Sequence, residues 1–169
     1  MSELSKTAGK ALGVALRILG HRSCTVKELE TKMLARGYPA ETVAWVIEYC
    51  LERNYLNDRE FARQWISTRT RLKPMGKCRL KQELKQKGLD QEVIYTQLEE
   101  LLPAEIELDL ATELLSKKLH GSQPLDKKKK YQLYRMLLRR GFSGELARQA
   151  ICRVTEEAEL PELDLEHLD

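Results

Sequence analysis

The chain has 169 residues, of which 42% are hydrophobic and 33% charged, and its formal net charge is +3. This balance is typical of a globular chain rather than a disordered one, and a chain of this length can bury a core without a metal or a disulfide. Its longest apolar runs, such as residues 43–47, are far shorter than the roughly 20 residues that span a bilayer. Residues 1–10 also lack the apolar stretch of a secretory signal, so we expect a cytoplasmic protein.

The cysteines lie far apart in the chain, at Cys24, Cys50, Cys78 and Cys152. A zinc site needs clustered cysteine or histidine ligands, and this spacing provides none. We expect reduced thiols, with Cys50 and Cys152 as small buried residues in apolar helical stretches.

Helical periodicity is strong along the whole chain, whereas the alternation typical of β-strands is weak. Three glycines, Gly37, Gly88 and Gly141, recur about fifty residues apart, and each follows an amphipathic stretch. A glycine in this place fits the residue just past a helix end, where a positive φ penalises other side chains. Each glycine therefore predicts a turn between two helices.

Apolar residues recur in the same register around the three glycines. The positions eight and four residues before each glycine are apolar: Leu29 and Met33, Leu80 and Leu84, Leu133 and Leu137. A glutamate follows four residues after each glycine and an apolar residue ten after: Glu41 and Ile47, Glu92 and Leu98, Glu145 and Ile151. These spacings predict a helix on each side of the turn.

Signals for helix starts support the same division. Thr25 with Glu28 has the spacing of a capping box, Pro39 can occupy a first helical position, and Asp90 and Ser143 are good N-caps. A further amphipathic segment precedes each helix pair: Val14–Leu19, Phe61–Thr68 and Leu108–Leu119.

We therefore predict an all-α fold of three tandem three-helix repeats, stacked into an elongated, curved body. The predicted boundaries are an N-terminal tail at 1–12, repeats at 13–54, 55–103 and 104–155, and an acidic tail at 156–169.

Charge is sorted into blocks along the chain. Residues 69–87 contain eight basic residues against one acid, residues 90–113 eight acids and no base, and residues 127–153 nine bases against one acid. Such blocks can contact phosphates or a charged protein surface, or they can form a solvated face that pairs with neighbouring acidic helices. The candidate filament-binding or DNA-binding residues are Arg69, Arg71, Lys77, Arg79, Lys81, Lys85, Lys127, Lys128, Lys129, Lys130, Arg135, Arg139 and Arg140.

No residue pattern predicts catalysis. Gly76 and Lys77 do not form a phosphate-binding loop, because Cys78 stands where a hydroxyl residue is needed and Arg71 where the first glycine is needed. The histidines, His21, His120 and His167, have no nucleophilic or acidic companion and are expected on the surface. We expect a non-enzymatic binding protein without a cofactor or a metal.

The stretch 54–62 resembles the signature of the RecX family, a turn that resembles Gly-Tyr-Leu-Asp-Asp, followed by a helix that carries Phe-Ala. The resemblance continues through a Gly-x-x-Arg stretch from Gly76 to Leu89, and it weakens past Leu102. Leu16, Leu19 and Arg22, followed by Glu28 and Leu29, are also similar to the opening unit of the family. Its signature residues here are Tyr55, Leu56, Asn57, Asp58, Phe61, Ala62, Gly76 and Gly88. Asn54 departs from the usual glycine, but asparagine tolerates the left-handed region.

The signature is expected to be mainly architectural. Tyr55 and Leu56 should pack inward, while Asn57 or Asp58 caps the next helix and Glu60 completes a capping box with Asn57.

The resemblance to the RecX family implies a protein that binds RecA and lies in the groove of the RecA filament on single-stranded DNA. It implies inhibition of filament growth, ATP turnover, strand exchange and co-protease function, and thus a role in DNA repair and the SOS response. We expect a monomer with at most weak direct DNA binding. The alternatives are a helical DNA-binding transcription factor, since three-helix units can present a recognition helix, and a helical scaffold without either ligand.

Overall fold

The structure is a computed structural model that describes residues 3–119 and 125–155, with the backbone alone for residues 3–6. Secondary structure in these ranges is entirely helical. The first repeat consists of α1 (Glu3–His21), α2 (Val26–Leu34) and α3 (Ala40–Glu52). The second consists of α4 (Asp58–Leu72), α5 (Lys77–Gln86) and α6 (Gln91–Leu101), and the third of α7 (Ala104–Lys118), α8 (Lys127–Arg139) and α9 (Gly144–Thr155). The all-α fold of three tandem three-helix repeats is confirmed.

The three predicted glycine turns form as expected. Gly37, Gly88 and Gly141 have φ angles of +81°, +80° and +86°. In each turn the amide of the next residue donates to the carbonyl five residues back, and the glycine amide donates to the carbonyl three residues back. These paired bonds satisfy carbonyl groups that a helix end leaves without partners, which explains the glycine at each position.

Three of the predicted helix caps are present. The amide of Glu28 donates to Thr25 Oγ1 over 3.0 Å, and the caps at Asp90 and Ser143 form likewise. The prediction for Pro39 was wrong by one position, because α3 begins at Ala40 and Pro39 is its N-cap residue.

The turn before α4 follows the glycine turns in geometry. Asn54 has a φ of +58°, and the amide of Tyr55 donates to the carbonyl of Cys50 over 2.8 Å. Leu56 is buried, but the prediction that Tyr55 packs inward was wrong, since Tyr55 is 53% exposed. The left-handed residue turns the chain so that Leu56 fills the apolar position against the first repeat's core, and Tyr55 faces solvent.

The described residues divide into two compact units, residues 3–65 with 83–97, and residues 66–82 with 98–119 and 125–155. The core of unit 1 lies among the first three helices around Leu29, Met33, Val46 and Cys50. The core of unit 2 joins α7, α8 and α9 around Leu115, Leu137 and Ile151. The apolar positions predicted eight and four residues before each glycine are all buried.

The thiols are free, as predicted. Cys50 is buried as expected, and so is Cys24, whereas Cys152 is half-buried rather than buried and Cys78 is exposed. His21 lies on the surface. His120, His167 and the acidic tail at 156–169 lie outside the described residues. In the parts of the chain that the structure describes, no helix has the length and apolar composition to cross a membrane.

Candidate functional site

Some of the predicted basic residues lie at a contact between two helices of unit 2, which we call the joint. At this joint the first turn of α5 lies against the last turn of α8. The amides of Gly76 and Cys78 donate to the carbonyls of Arg140 and Gly141 over 3.0 and 3.1 Å. The amide of Lys77 donates to Glu107 Oε1 over 2.8 Å. Amides that a helix start leaves without partners are thus satisfied by a helix end and a carboxylate, which fixes α5 against α8.

Gly76, one of the signature residues, is glycine because the joint leaves no room for a side chain. A Cβ at this position would lie 2.5 Å from the carbonyl carbon of Gly141 and from the amide nitrogen of Phe142. Gly141 is equally crowded, since a Cβ there would lie 2.8 Å from Arg79 Cα. Backbone thus packs directly on backbone at this joint.

A second copy of the joint lies within unit 1, between α2 and the end of α5. Thr25 Oγ1 donates to the carbonyl of Lys87 over 2.7 Å, and the amide of Val26 donates to Asp58 Oδ1 over 3.0 Å. A Cβ on Gly88 would meet the side chain of Lys27 at 2.5 Å. Asp58 of the signature therefore stabilises the helix start of the preceding repeat, while Asn57 caps α4 itself through the amide of Glu60 at 3.0 Å.

Both carboxylates that close these joints have a raised pKa. Burial raises the pKa of Glu107, and the hydrogen bond from the Lys77 amide and the charge of Lys77 offset this only partly. Burial likewise raises the pKa of Asp58, although the hydrogen bond from the Val26 amide lowers it in part. The folded state thus favours the protonated form of each group more than the unfolded chain does.

The joint in unit 2 brings together residues from both predicted basic blocks. Arg79 in α5 lies beside Gly141, and hence close to Arg139 and Arg140 at the end of α8. Two of the predicted site residues there stabilise the fold. Lys77 Nζ forms an ion pair with Glu99 at 2.7 Å, and Arg140 Nη1 donates to the carbonyl of Pro74 over 3.2 Å. Arg79 and Arg139 have exposed side chains.

The other predicted basic residues are distributed over several helices. Arg71 and Lys81 are exposed in unit 2, Lys85 is exposed in unit 1, and Arg69 is half-buried. Asp126 caps α8 by accepting from the Lys129 amide over 2.7 Å, and the side chains of residues 127–129 are exposed while Lys130 is half-buried. About 18 Å of helix separates this lysine block from Arg139. Arg135 lies over the Tyr131 ring, with 5.7 Å to the centroid.

The remaining signature residues belong to the packing of unit 1. Phe61 and Ala62 are buried, and the Phe61 ring stacks on Trp65 with 5.7 Å between centroids. Trp65 Nε1 in turn donates to Glu83 Oε2 over 3.0 Å. Phe61 and Ala62 thus take part in the packing of this unit.

Sequence reasoning did not single out a row of side chains along α3. Trp45 and Tyr49 lie with 5.6 Å between ring centroids, and Arg53 lies over the Tyr49 ring with 3.7 Å to the centroid. Trp45 is 43% exposed. The signal was present in the sequence, since the three residues are spaced by four and so share one helix face.

Groups of three or more potential metal ligands are not found among the described residues. The helix surfaces of the described ranges carry exposed charged and aromatic side chains.

Comparisons with known proteins match each of the three repeats to a family model. Three family models match in order: RecX first three-helix domain at residues 11–50, second three-helix domain at 57–96 and third three-helix domain at 105–151. The crystal structure of RecX from Lactobacillus salivarius superposes with a TM-score of 0.79 at 21% identity, over 89% of this chain and 97% of that one.

Two relatives named regulatory protein RecX are similar over most of their length. The protein from Mycolicibacterium smegmatis is 38% identical over 143 residues, which cover 82% of this chain and 76% of the relative. The protein from Chlorobium limicola is 31% identical over 154 residues, which cover 91% of this chain and 94% of the relative. The chain therefore belongs to the RecX family of regulatory proteins.

Proposed function

We propose that this chain binds RecA and the groove of the RecA filament on single-stranded DNA. There it inhibits ATP turnover, filament extension, strand exchange and co-protease activity, and so regulates recombination, DNA repair and the SOS response in the cytoplasm. It acts as a binding protein without catalysis or a cofactor. The observation that carries the proposal is the set of exposed basic side chains held on the helical repeats of a RecX family member.

In this proposal, the protein inhibits RecA because it occupies the groove of the filament. A protein that contacts a filament stabilises the protomer arrangement that fits its contacts and opposes arrangements that do not. Second-strand DNA and a repressor substrate would then meet an occupied groove. Because ATP turnover and extension both need protomers to rearrange, one binding event accounts for all four effects.

The contacts are assigned to exposed basic side chains without a structural partner among the described residues, chiefly Lys81, Arg71 and Arg139 with residues 127–129. Lysines and arginines that contact phosphates release counterions, so such binding weakens steeply as salt rises. The same charges would raise the association rate with an acidic protein surface. Lys77 and Arg140 are excluded from this set, because their charged groups already bind Glu99 and Pro74.

The double variant Lys81→Glu with Lys128→Glu tests this assignment. Both side chains are exposed and lie outside the joint, so the fold should be retained. We expect the concentration needed for half-inhibition of RecA ATPase to rise by about tenfold or more, since each reversal replaces an attraction by a repulsion. The matched control is Lys10→Glu with Lys118→Glu, which makes the same charge change at two other exposed lysines.

Unchanged inhibition by the Lys81 and Lys128 variant, with a normal circular dichroism spectrum, would remove both residues from the site. Strong selectivity for one duplex sequence, with no binding to RecA, would overturn the proposal and favour the transcription-factor alternative.

A further inference from the structure

A groove of about 470 Å³ lies on unit 1 between α2 and α3. Its floor is apolar and includes Val43 and Ile47, and its edges carry Leu34 and Leu51, which are 44% and 45% exposed. Large aliphatic side chains exposed together in a concave surface are typical of interaction sites, whereas single exposed ones are common everywhere.

The edges of this groove are acidic. Glu30 of α2 and Glu48 of α3 line it. Glu30 pairs with Lys27 of its own helix at 2.7 Å, whereas Glu48 has no ion-pair partner within the described ranges. The groove therefore combines an apolar floor with an unneutralised carboxylate, on a chain whose net charge is positive.

In the third repeat a side chain occupies the space that corresponds to this groove. Seven residues before its glycine, where the first repeat has Glu30, it has Tyr134, which is buried. The Tyr134 hydroxyl lies within 2.8 Å of the point where a Cβ of Gly144 would stand, so the ring fills the space between α8 and α9. Gly144 corresponds to Ala40 in the first repeat. The corresponding space in the third repeat is thus filled by the protein's own side chain, whereas the groove of the first repeat is open.

We propose that this groove binds an amphipathic helix of a partner protein, whose apolar residues enter the groove and whose lysines or arginines lie along Glu30 and Glu48. Two packed helices present a groove into which the ridge of a third can pack, with anchors at i, i+3 or i+4, and i+7. Helix α2 has nine residues and is therefore about 13 Å long, which accommodates two to three turns of a partner. The proposal goes beyond the function proposed above, whose basic residues do not line this groove.

Two synthetic peptides of about fifteen residues test the proposal by fluorescence anisotropy. One has leucines at the anchor positions and lysines at the others, and its companion has glutamates in place of the lysines. We expect the basic peptide to bind about tenfold more tightly at low salt, although the net charge of the protein favours the acidic one. Glu48→Lys should weaken binding of the basic peptide by roughly tenfold.

Glu30→Tyr copies the third repeat and should close the groove, which would abolish binding while the fold is retained. The matched control for Glu48→Lys is Glu105→Lys, the same charge change at an exposed residue of unit 2, which should leave the affinity within about twofold. Equal binding of both peptides, no binding, or binding that survives both groove variants would overturn the proposal. So would self-association in sedimentation that Leu51→Lys removes, because the groove would then bind a second copy. Inhibition of RecA by the Glu30→Tyr variant is measured in parallel, so that failure here is distinguished from failure of the proposed function.

Discussion

Replacing Gly76 by alanine places a methyl group inside the joint between α5 and α8. The added Cβ would lie 2.5 Å from two backbone atoms, the carbonyl carbon of Gly141 and the amide nitrogen of Phe142. Backbone atoms cannot rotate away as a side chain can, so one of the two helices must shift. That shift would lengthen the hydrogen bonds that the amides of Gly76 and Cys78 make to the end of α8.

The expected loss of stability follows from these two effects. Overpacking by one carbon atom costs about 1–3 kcal/mol where the neighbours cannot relax. Each weakened hydrogen bond contributes about 1 kcal/mol. Because relief of the clash weakens the bonds, the two effects are partly alternatives, and we expect the free energy of unfolding to fall by about 2–4 kcal/mol. That is a large share of the roughly 5–15 kcal/mol typical of a folded domain.

Urea unfolding followed by circular dichroism measures this loss, with Gly13→Ala as the control. Gly13 lies within α1, and a Cβ there would meet nothing within 4 Å. Alanine at that position should therefore stabilise the protein by about 0.5–1 kcal/mol through helix propensity. If Gly76→Ala matched or exceeded the wild type in stability, the close backbone packing described for the joint would be refuted.

Asn54→Gly should stabilise the protein by about 0.5–1 kcal/mol and so raise the melting temperature slightly, because glycine adopts a φ of +58° without penalty. A lower melting temperature would contradict this. Glu107→Gln should gain stability relative to the wild type as the pH rises from about 4 to 7. Burial raises the pKa of Glu107, so the contribution of this group to wild-type stability is fullest below the unfolded pKa and declines as the pH passes through the folded pKa. Glutamine keeps the acceptor for the Lys77 amide and does not ionise. Parallel curves of unfolding free energy against pH for the two proteins would count against this. If both lysines contact phosphates, Lys81→Glu with Lys128→Glu should also make the binding of the RecA filament less sensitive to salt. The slope of the logarithm of the binding constant against the logarithm of the salt concentration should fall in magnitude by about two. An unchanged slope would assign the two lysines to protein contacts instead.

The fold could be predicted because its signals are local. Leu29, Leu80 and Leu133 recur at one distance from a glycine, and each turn depends on a single backbone φ. The inward orientation of Tyr55 was wrong because two adjacent apolar residues compete for one position after a left-handed turn, and the sequence does not indicate which of them wins.

The site could be predicted only in part, because its contacts join residues that are far apart in sequence. Lys77 and Lys81 are equivalent basic residues by spacing, yet only Lys77 is paired with an acid, Glu99, in the following helix. The role of Asp58 at the start of α2 depends on a contact across 32 residues. Periodicity does not encode such contacts, so the separation of structural from exposed basic residues needed coordinates.

Co-sedimentation with RecA assembled on single-stranded DNA, combined with measurement of RecA-dependent ATP hydrolysis, tests the proposed function most directly. The proposal predicts that the protein pellets with the RecA filament and lowers its ATP turnover, and that Lys81→Glu with Lys128→Glu weakens both effects together. A folded protein that stays in the supernatant and leaves ATP hydrolysis unchanged would contradict it.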